Sequence, residues 1–421
     1  MSFDTICVVG LGYIGLPTAA IIASRGHRVI GLDVRASVVE RINRGETHIV
    51  EPDLDALVHS VVESGLLRAT LEPEAADAFV VAVPTPFKDG HVPDLSFIES
   101  ASRAIAPVLR AGNLVILEST SPVGATEAMA DWLAEARPDL TFPRTHGDAS
   151  DIRVAHCPER VLPGNVLREL VKNDRVIGGL TPACSARAID LYRLFVEAEC
   201  MTTDARTAEM CKLTENSFRD VNIAFANELS LICDKLGIDV WELIRLANRH
   251  PRVNILQPGP GVGGHCIAVD PWFIVDSAPE LSPLIRAARG VNDGKPHWVV
   301  AKVDEAARTV AHGGRVRIAC LGLAFKPDID DLRESPALEI CAALAARDDY
   351  DVIAVEPHID AMPASFAGHA VLRDASAAIA EADVIVILVN HSAFQALDRL
   401  ALDGKTVIDT CGYAQRRGAA S

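Results

Sequence analysis

The pattern of apolar and polar positions divides the chain into three regions. In the first region, short apolar runs typical of buried strands alternate with segments whose apolar residues recur at helical spacing. The predicted strands are Thr5–Gly10, Arg28–Leu32, Ala78–Val83, Asn113–Leu117, Arg153–His156 and Arg175–Ile177, and the predicted helices are Ile14–Ser24, Phe97–Leu109 and Thr126–Ala136. Strands that alternate with helices predict a parallel, doubly wound sheet.

The middle region has a helical pattern throughout. Residues 204–236 contain neither Pro nor Gly, and their apolar positions follow helical spacing at Phe218, Val221, Phe225, Leu229 and Ile232. A helix of this length extends about 50 Å, which is more than one domain needs. We therefore expect it to bridge two domains and to contribute to a dimer interface. Further helices are predicted over Val240–Asn248 and Pro283–Ala311.

The final region repeats the pattern of the first. Its predicted strands are Val316–Leu321, Asp351–Val355, Val384–Val389 and Thr406–Ile408, and a helix is predicted over Ala337–Ala346. The predicted fold class is therefore α/β, with two doubly wound domains of the Rossmann type joined by a long central helix in an all-α dimerisation region. We place the domain boundaries at 1–200, 201–312 and 313–421.

Composition narrows the function classes. The chain has 421 residues and a formal net charge of −17, and so acidic a surface disfavours a nucleic-acid partner. Its apolar runs fall short of the ~20 residues that cross a bilayer, and the sequence carries no targeting segment. Ten cysteines occur without a CxxC pair or metal-ligand spacing, which predicts no metal site. We expect a cytoplasmic protein with no membrane partner.

A glycine motif after the first strand indicates a dinucleotide site. Gly10, Gly12 and Gly15 form G-x-G-x-x-G between a predicted strand and a predicted helix. The first glycine permits a tight turn, the second permits close approach of a pyrophosphate, and the third permits close packing of helix on strand. The second strand ends at Asp33, which favours NAD over NADP because a carboxylate binds ribose hydroxyls and repels a phosphate. Arg35 lies near enough to weaken that preference.

Cys266 follows a segment that excludes regular structure. Six of the seven residues from Pro258 to Gly264 are Gly or Pro, and glycine lets a ligand approach the backbone closely. A cysteine at the end of such a loop is a candidate nucleophile, with a small buried core residue as the alternative. His265 is a candidate partner for the thiol, whereas a zinc site would need further ligands at suitable spacing.

Three polar residues share one face of the long predicted helix. Lys212, Asn216 and Arg219 occupy positions i, i+4 and i+7, which places them on the same side. The pattern alone leaves two interpretations open. The face is either a solvated stripe or the lining of a cleft.

The order of these motifs resembles the UDP-glucose/GDP-mannose dehydrogenase family over essentially the whole chain. The resemblance is carried by G-x-G-x-x-G, by Ser-Thr-x-Pro-Val-Gly ending at Gly124, by Pro158-Glu159, by Lys212-x-x-x-Asn216 and by Gly-Gly-x-Cys-x-x-x-Asp ending at Asp270. The segments 46–52, 208–260 and 322–327 are similar to the branch that acts on UDP-N-acetyl-D-mannosamine.

The resemblance implies a four-electron oxidation of UDP-N-acetyl-D-mannosamine at C6, with two NAD⁺ and one water consumed. Cys266 would form a thiohemiacetal and then a thioester, because a thiolate can hold the aldehyde covalently. Lys212 and Asn216 would serve proton transfer and the developing oxyanion, and Asp270 would position Lys212 or the water. Thr120 and Glu159 would lie near the hydrolytic water.

The resemblance also assigns binding residues and a homodimer. Residues implied for the UDP-sugar, beside Lys212 and Asn216, are Arg160, Val161, Arg219, His250, Arg252, Gly263, Phe325 and Lys326. Residues implied for NAD, beside the three glycines, are Tyr13, Ile14, Asp33, Thr85, Thr126 and Arg333. The domain 1–200 would bind NAD, 201–312 would carry dimerisation and active-site residues, and 313–421 would bind the UDP-sugar. The resemblance also implies that the oxidised UDP-sugar is used in polysaccharide biosynthesis.

Two positions depart from the family pattern. Cys411 stands where close relatives carry a lysine, and Pro163 stands where the UDP-glucose branch has a second glutamate. The alternatives that stay open are the same chemistry on UDP-N-acetylglucosamine or UDP-glucose, a two-electron hydroxyacid dehydrogenase, and an inactive NAD-binding redox sensor. A comparison of rates on the different sugars would decide the first alternative. A requirement for Cys266 would exclude the second, and steady NADH formation would exclude the third.

Overall fold

The computed structural model describes residues 3–162, 164–264, 266–310, 313–363, 366, 370–397 and 402–413. Two compact units share the chain. The first contains the residues up to Glu215 together with Trp272–Ala278, and the second contains Asn216–Pro271 and the residues from Pro279 onwards. The division falls within one long helix.

The first unit is built on an eight-stranded sheet. Its strands are β1 (Thr5–Val9), β2 (Arg28–Leu32), β3 (Leu67–Thr70), β4 (Ala78–Val81), β5 (Leu114–Leu117), β6 (Arg153–His156), β7 (Arg175–Gly179) and β8 (Cys200–Asp204). Their order is β3-β2-β1-β4-β5-β6-β7-β8. Successive strands are therefore added on one side of β1 as far as β3 and on its other side from β4 onwards. Carboxyl ends of strands at such a switch point form the ligand crevice of doubly wound sheets.

The sheet is parallel except at one pair of strands. β7 runs antiparallel to β6 and parallel to β8. The predicted parallel sheet is therefore mixed at this edge. The connection from β6 starts and ends at the same end of the sheet, because its helix returns the chain without crossing to the opposite end.

Helices cover both faces of this sheet. They are α1 (Gly15–Ser24), α2 (Ala36–Asn43), α3 (Leu54–Glu63), α4 (Ser96–Ile105), α5 (Ala125–Ala136), α6 (Pro143–His146), α7 (Val166–Lys172) and α8 (Pro182–Tyr192). Alternate residues of each central strand enter different cores: Val8 packs with α1, whereas Val9 packs on the face of α4 and α5. Burial on both faces explains why the central strands are continuous apolar runs.

Helices are the only regular secondary structure among the described residues between 205 and 310. These are α9 (Ala205–Leu236), α10 (Val240–Ala247), α11 (Asp270–Ser277) and α12 (Pro283–Val310). A buried ion pair links α12 to α9 in the second unit, with Arg289 Nη1 2.6 Å from Asp220 Oδ1. Asn292 donates to the same carboxylate oxygen at 2.8 Å, so the buried charge is paired and hydrogen-bonded.

The second unit ends in a five-stranded parallel sheet. Its strands are β9 (Val316–Leu321), β10 (Tyr350–Val355), β11 (Ala370–Leu372), β12 (Val384–Ile387) and β13 (Thr406–Asp409), and its helices are α13 (Pro336–Ala345) and α14 (Ala375–Glu381). The order β11-β10-β9-β12-β13 again reverses beside the first strand. The predicted fold class, two doubly wound sheets and a long central helix, is confirmed.

Several predicted boundaries move by a few residues. The predicted strand over Ala78–Val83 ends at Val81, and the predicted helix over Phe97–Leu109 ends at Ile105 and continues as a 3₁₀ turn. Within the described residues, no helix has the length and apolar character that a bilayer crossing requires. The three-domain division stays a prediction.

Candidate active site

The turn after β1 places each motif glycine under a different constraint. Gly10 has φ of +90°, and a Cβ there would lie 2.7 Å from the carbonyl oxygen of Ala82. A Cβ on Gly15 would collide with the carbonyl oxygen of Gly10. At Gly12 a Cβ would meet no atom of the described residues within 4 Å. Two glycines are therefore needed by the fold, whereas Gly12 leaves open backbone beside the amino end of α1, as a pyrophosphate requires.

Asp33 ends β2 and reaches across to this turn. Its Oδ2 accepts a hydrogen bond from the Leu11 N–H at 3.0 Å, and its Oδ1 accepts one from the Arg35 N–H at 3.0 Å. The Arg35 Nε lies 3.4 Å from the same oxygen. Asp33 is buried, Ile14 is half-buried and Tyr13 is 44% exposed. This arrangement fits the adenosine half of NAD at the carboxyl ends of β1 and β2.

The two threonines predicted to contact NAD differ in the hydrogen bonding of their hydroxyl groups. Thr85 follows β4, and its buried hydroxyl has no hydrogen-bond partner among the described residues. The Thr126 hydroxyl, by contrast, donates to Oε1 of Glu209 at 2.6 Å and is fully buried. Thr85 therefore has a hydroxyl to offer a ligand, whereas Thr126 is engaged with α9.

Residues after β6 form charged contacts within the first unit. Glu159 accepts from Arg175 Nη1 at 2.9 Å, and both side chains are buried. Arg160 lies 2.6 Å from a carboxylate oxygen of Glu215 on α9. Val161 packs against the core of the α1 face. Pro163, a predicted specificity position, lies outside the described residues.

A buried carboxyl group occupies the end of β5. Glu118 accepts from the Tyr192 hydroxyl at 3.1 Å and from the Thr18 hydroxyl at 3.4 Å. Burial, with Glu159 adding repulsion, raises the pKa of Glu118 to about 8, so this group is mainly protonated at neutral pH. Ser119 and Thr120 follow it, and the Ser119 hydroxyl donates to the Val83 carbonyl at 2.6 Å.

In the second unit, Cys266 is exposed on a turn that leads into α11. Its carbonyl accepts hydrogen bonds from the N–H groups of Val269 at 3.1 Å and Asp270 at 2.9 Å. The Asp270 carboxylate is buried and accepts from Asn216 Nδ2 at 2.5 Å. The structure thus joins Asn216 to the segment of the predicted nucleophile. His265 lies outside the described residues.

The glycine-rich loop before Cys266 is held from two sides of the second unit. The Gly259 N–H donates to Asn227 Oδ1 on α9 at 2.9 Å. A Cβ at Gly264 would lie 3.0 Å from the ring of Phe325, and one at Gly263 would collide with the Glu334 carbonyl oxygen. The glycines therefore let the loop approach the segment after β9. Gly263 therefore lies next to Phe325. Both residues were predicted to bind the substrate.

The remaining residues predicted to bind substrate or cofactor differ in how far they are exposed to solvent. Lys212 and Lys326 are half-buried, and Arg219, His250 and Arg252 are exposed. Arg333 forms an ion pair with Asp331 at 2.6 Å. Cys411 is half-buried, and its N–H donates to Asp409 Oδ1 at 3.1 Å.

One group in the second unit has the composition of a metal site. Ligand atoms of Asp328, His358 and His391 lie within 4.8 Å of one another. However, His391 Nδ1 accepts the Asp328 N–H at 3.0 Å, and Nε2 donates to Glu356 at 3.1 Å. Both ring nitrogens are thus engaged within the protein, which makes His391 a structural residue rather than an open ligand.

Two glutamates that support these loops were not predicted from the sequence. Glu209 binds the turn at Gly124–Thr126, and Glu51 accepts from the N–H groups of Gly164 and Val166 at 2.8 and 2.7 Å. Both glutamates stand inside segments that carried the family resemblance. Their partners lie more than 80 residues away, so spacing alone holds no signal for these contacts.

The sheet, the glycine turn and the acidic end of β2 define a dinucleotide-binding domain of the Rossmann type. Models of the UDP-glucose/GDP-mannose dehydrogenase family match three successive regions. Its NAD binding domain matches residues 4–196, its central domain matches 206–294 and its UDP binding domain matches 319–416. The chain belongs to this family and is an NAD-dependent dehydrogenase.

Similar proteins extend over the full chain. The UDP-N-acetyl-D-mannosamine dehydrogenase of Yersinia pestis is 63% identical over 98% of this chain and 99% of its own length. The NDP-N-acetyl-D-galactosaminuronic acid dehydrogenase of Ralstonia nicotianae is 63% identical over 100% of this chain and 99% of its own. A solved UDP-D-ManNAc dehydrogenase from Pyrococcus horikoshii is 39% identical, with a TM-score of 0.86 over 97% of this chain and 96% of that one.

Proposed function

We propose that this dehydrogenase oxidises the C6 alcohol of UDP-N-acetyl-D-mannosamine to a carboxylate, consuming two NAD⁺ and one water. The full-length 63% identity to a protein of that activity carries the proposal. It is supported by the exposure of Cys266 on a hydrogen-bonded turn and by the hydrogen bond between Asn216 and Asp270.

NAD⁺ supplies a hydride acceptor when bound, and Gly12, Asp33 and Thr85 would hold it. Lys212 would serve the transfer of the proton that leaves the C6 hydroxyl as the alcohol loses a hydride and becomes an aldehyde. The Cys266 sulfur then adds to the aldehyde carbon and forms a thiohemiacetal. Loss of the second hydride gives a thioester, and water cleaves its C–S bond to release the carboxylate and the thiol.

Asn216 and Asp270 act on the oxygen that carries charge in these steps. The Asn216 amide is held by the Asp270 carboxylate at 2.5 Å, so one of its N–H bonds has a fixed direction. A fixed amide can stabilise the oxyanion without reorganising during the reaction. The cationic side chains of Arg160, Arg219, Arg252 and Lys326 would offset the acidic surface and bind the diphosphate.

The test is the amount of NADH formed per UDP-N-acetyl-D-mannosamine consumed, measured at completion with excess NAD⁺. The proposal predicts about two. Cys266→Ser should lower turnover by at least about 10³-fold, whereas Cys200→Ser, a half-buried cysteine of β8, should leave it unchanged. One NADH per sugar, or full turnover by Cys266→Ser, would contradict the covalent mechanism.

A second candidate substrate follows from the Ralstonia relative, which is equally identical and whose name refers to an N-acetylgalactosaminuronic acid. Rates should therefore be compared on the UDP derivatives of N-acetylmannosamine, N-acetylgalactosamine, N-acetylglucosamine and glucose. We expect the highest kcat/KM on the first. A higher value on another sugar would change the substrate and leave the chemistry in place.

We also propose that the enzyme is a homodimer that pairs through α9. Exposed apolar side chains follow one another at heptad-like spacing at Phe218, Phe225, Ile232 and Leu236, with 69%, 52%, 45% and 64% exposure. Such a stripe is unusual on a surface that remains solvated. Phe225→Asp should shift the sedimenting species from dimer to monomer, whereas Leu281→Asp, exposed outside α9, should not. A monomeric wild-type chain would contradict the proposal.

A further inference from the structure

Glu209 is a buried carboxylate near the start of α9 that reaches a distant turn. Its Oε2 accepts the Gly124 N–H at 2.6 Å, and its Oε1 accepts the Thr126 N–H at 2.8 Å and the Thr126 hydroxyl at 2.6 Å. The side chain is 1% exposed. One carboxylate thus receives three hydrogen bonds from a single turn.

The turn at Gly124 lacks a local cap. Gly124 precedes the first residue of α5, has φ of +99° and carries no side chain that could accept from the first helical turn. The N–H groups at a helix start need an acceptor, and negative charge is favourable there. Glu209 provides both from another element of the first unit.

The two ends of this contact carry groups of the proposed reaction. Glu209 stands three residues before Lys212, and residues at i and i+3 share a helix face. The Gly124 turn closes the loop that carries Ser119 and Thr120. A contact that fixes the turn to this end of α9 therefore fixes the Thr120 loop relative to the segment of Lys212.

We propose that Glu209 is a positioning residue, whose carboxylate clamps the Gly124–Thr126 turn to α9 so that the Thr120 loop and Lys212 keep one register. This inference rests on the proposed function for its catalytic consequence. Its structural component, the clamp, can be tested without any sugar.

The same two helices offer a matched control. Arg206 on α9 forms an ion pair with Glu127 on α5 at 2.9 Å, with 59% and 31% side-chain exposure. Glu127→Gln removes this outer link and leaves the buried one intact. Glu209→Gln keeps the volume of the buried side chain but puts an NH₂ group against N–H donors, which breaks at least one bond.

The experiment measures hydrogen exchange of the segment 118–128, the dissociation constant of NAD⁺, and kcat with KM for the sugar, for both variants below their melting temperatures. For Glu209→Gln we expect faster exchange in this segment and a fall of kcat by 10-fold or more, with less than a threefold change in KM for the sugar. Glu209→Asp, which keeps the charge but is shorter, should recover some of the lost kcat. Glu127→Gln should match the wild type.

Each contrary result has its own meaning. Unchanged exchange in 118–128 of Glu209→Gln would overturn the clamp. Faster exchange with unchanged kcat would make Glu209 merely structural and overturn its positioning role. If the wild type oxidises no UDP-sugar, the proposed function fails, and hydrogen exchange in the segment 118–128 of Glu209→Gln still decides on the clamp.

Discussion

The turn after β1 in the first unit and the turn after β9 in the second unit share their backbone geometry. Gly10 and Gly322 have φ of +90° and +88°. Each N–H donates at 2.8 Å to the last carbonyl of the neighbouring strand, at Leu32 in one unit and at Val355 in the other. The two sheets also reverse their strand order at the same place.

The loops that follow these turns differ. In the first unit α1 begins at Gly15, and the loop offers glycine backbone to a ligand. In the second unit α13 begins only at Pro336, and the longer loop carries Phe325 and Lys326. The turn is therefore a requirement of the sheet. Under the proposed function, the length and side chains of the loop would determine which ligand it binds.

The largest expected effect tests the shared turn. Gly10→Ala and Gly322→Ala should each lower the free energy of unfolding by about 2–4 kcal/mol, because both combine positive φ with a crowded Cβ. That Cβ would lie 2.7 Å from Ala82 O and 2.5 Å from Val389 Cβ, respectively. Gly26→Ala is the control, since Gly26 has φ of +91° in open space and should cost about 1 kcal/mol. Urea unfolding of the three variants measures this.

The next effect tests the difference between the loops. Gly12→Ala should weaken NAD⁺ binding about 30-fold without lowering the melting temperature, because the added Cβ fills only open space beside the backbone. Lys326→Met should leave NAD⁺ affinity unchanged. It should raise KM for the sugar by about 10-fold or more, because the variant would lose a charged contact to the phosphate. Titration calorimetry with NAD⁺ and steady-state kinetics separate the two. Equal losses for both ligands in either variant would break the comparison.

A smaller effect concerns the acidic residues that end the second strand of each sheet. Asp33 binds the Leu11 N–H, and Glu356 binds the N–H groups of Leu323 and Ala324 at 2.7 and 3.0 Å. Asp33→Asn should weaken NAD⁺ about 10-fold and improve relative use of NADP⁺. Glu356→Gln should alter neither, since Glu356 binds the N–H groups of Leu323 and Ala324 and is not among the residues implied for NAD. Cofactor competition assays give both values.

The smallest effect contrasts two buried glutamates by their pH dependence. The pKa of Glu118 is raised by burial to about 8, so its contribution to stability is complete below pH 4.5 and is lost as pH rises towards 8. Burial opposes ionisation of Glu356, but His391 and two backbone N–H groups hold its pKa below the ordinary value. Its contribution is therefore present above pH 4.5 and is lost on acidification.

Glutamine variants should remove these slopes separately. Glu118→Gln should flatten the fall in stability between pH 5 and 8, and Glu356→Gln should flatten the fall below pH 4.5. Chemical unfolding at a series of pH values measures both. A slope lost in the wrong pH range would show that another group is responsible.

Much of the fold could be predicted because central strands and long helices leave strong patterns. β2, β6 and β9 begin and end where the apolar runs do, and α9 begins one residue after its predicted start. β3, β8 and β11 were not predicted because they are partly exposed edge strands with mixed side chains. Edge strands lack the continuous apolar run that burial on both faces produces.

The candidate site was predictable only as far as local motifs extend. The glycine turn, Asp33 and the Cys266 loop are each recognisable by residue type and spacing. The hydrogen bonds of Asn216 to Asp270 and of Glu209 to Thr126 join residues 54 and 83 positions apart. Such pairs depend on the tertiary fold, so one sequence without a structure does not reveal them.

The continuity of α9 has a consequence for how this chain can change in length. Lys212 and Asn216 lie about one turn apart on an uninterrupted helix, so their relative direction is set by a count of residues. One residue inserted between them would rotate everything beyond it by about 100° and separate the amine from the amide without altering either side chain. An insertion of about seven residues, close to two full turns, would restore the direction. Insertions should therefore be tolerated in the loops. In α9, by contrast, an insertion would change the direction in which every later side chain points.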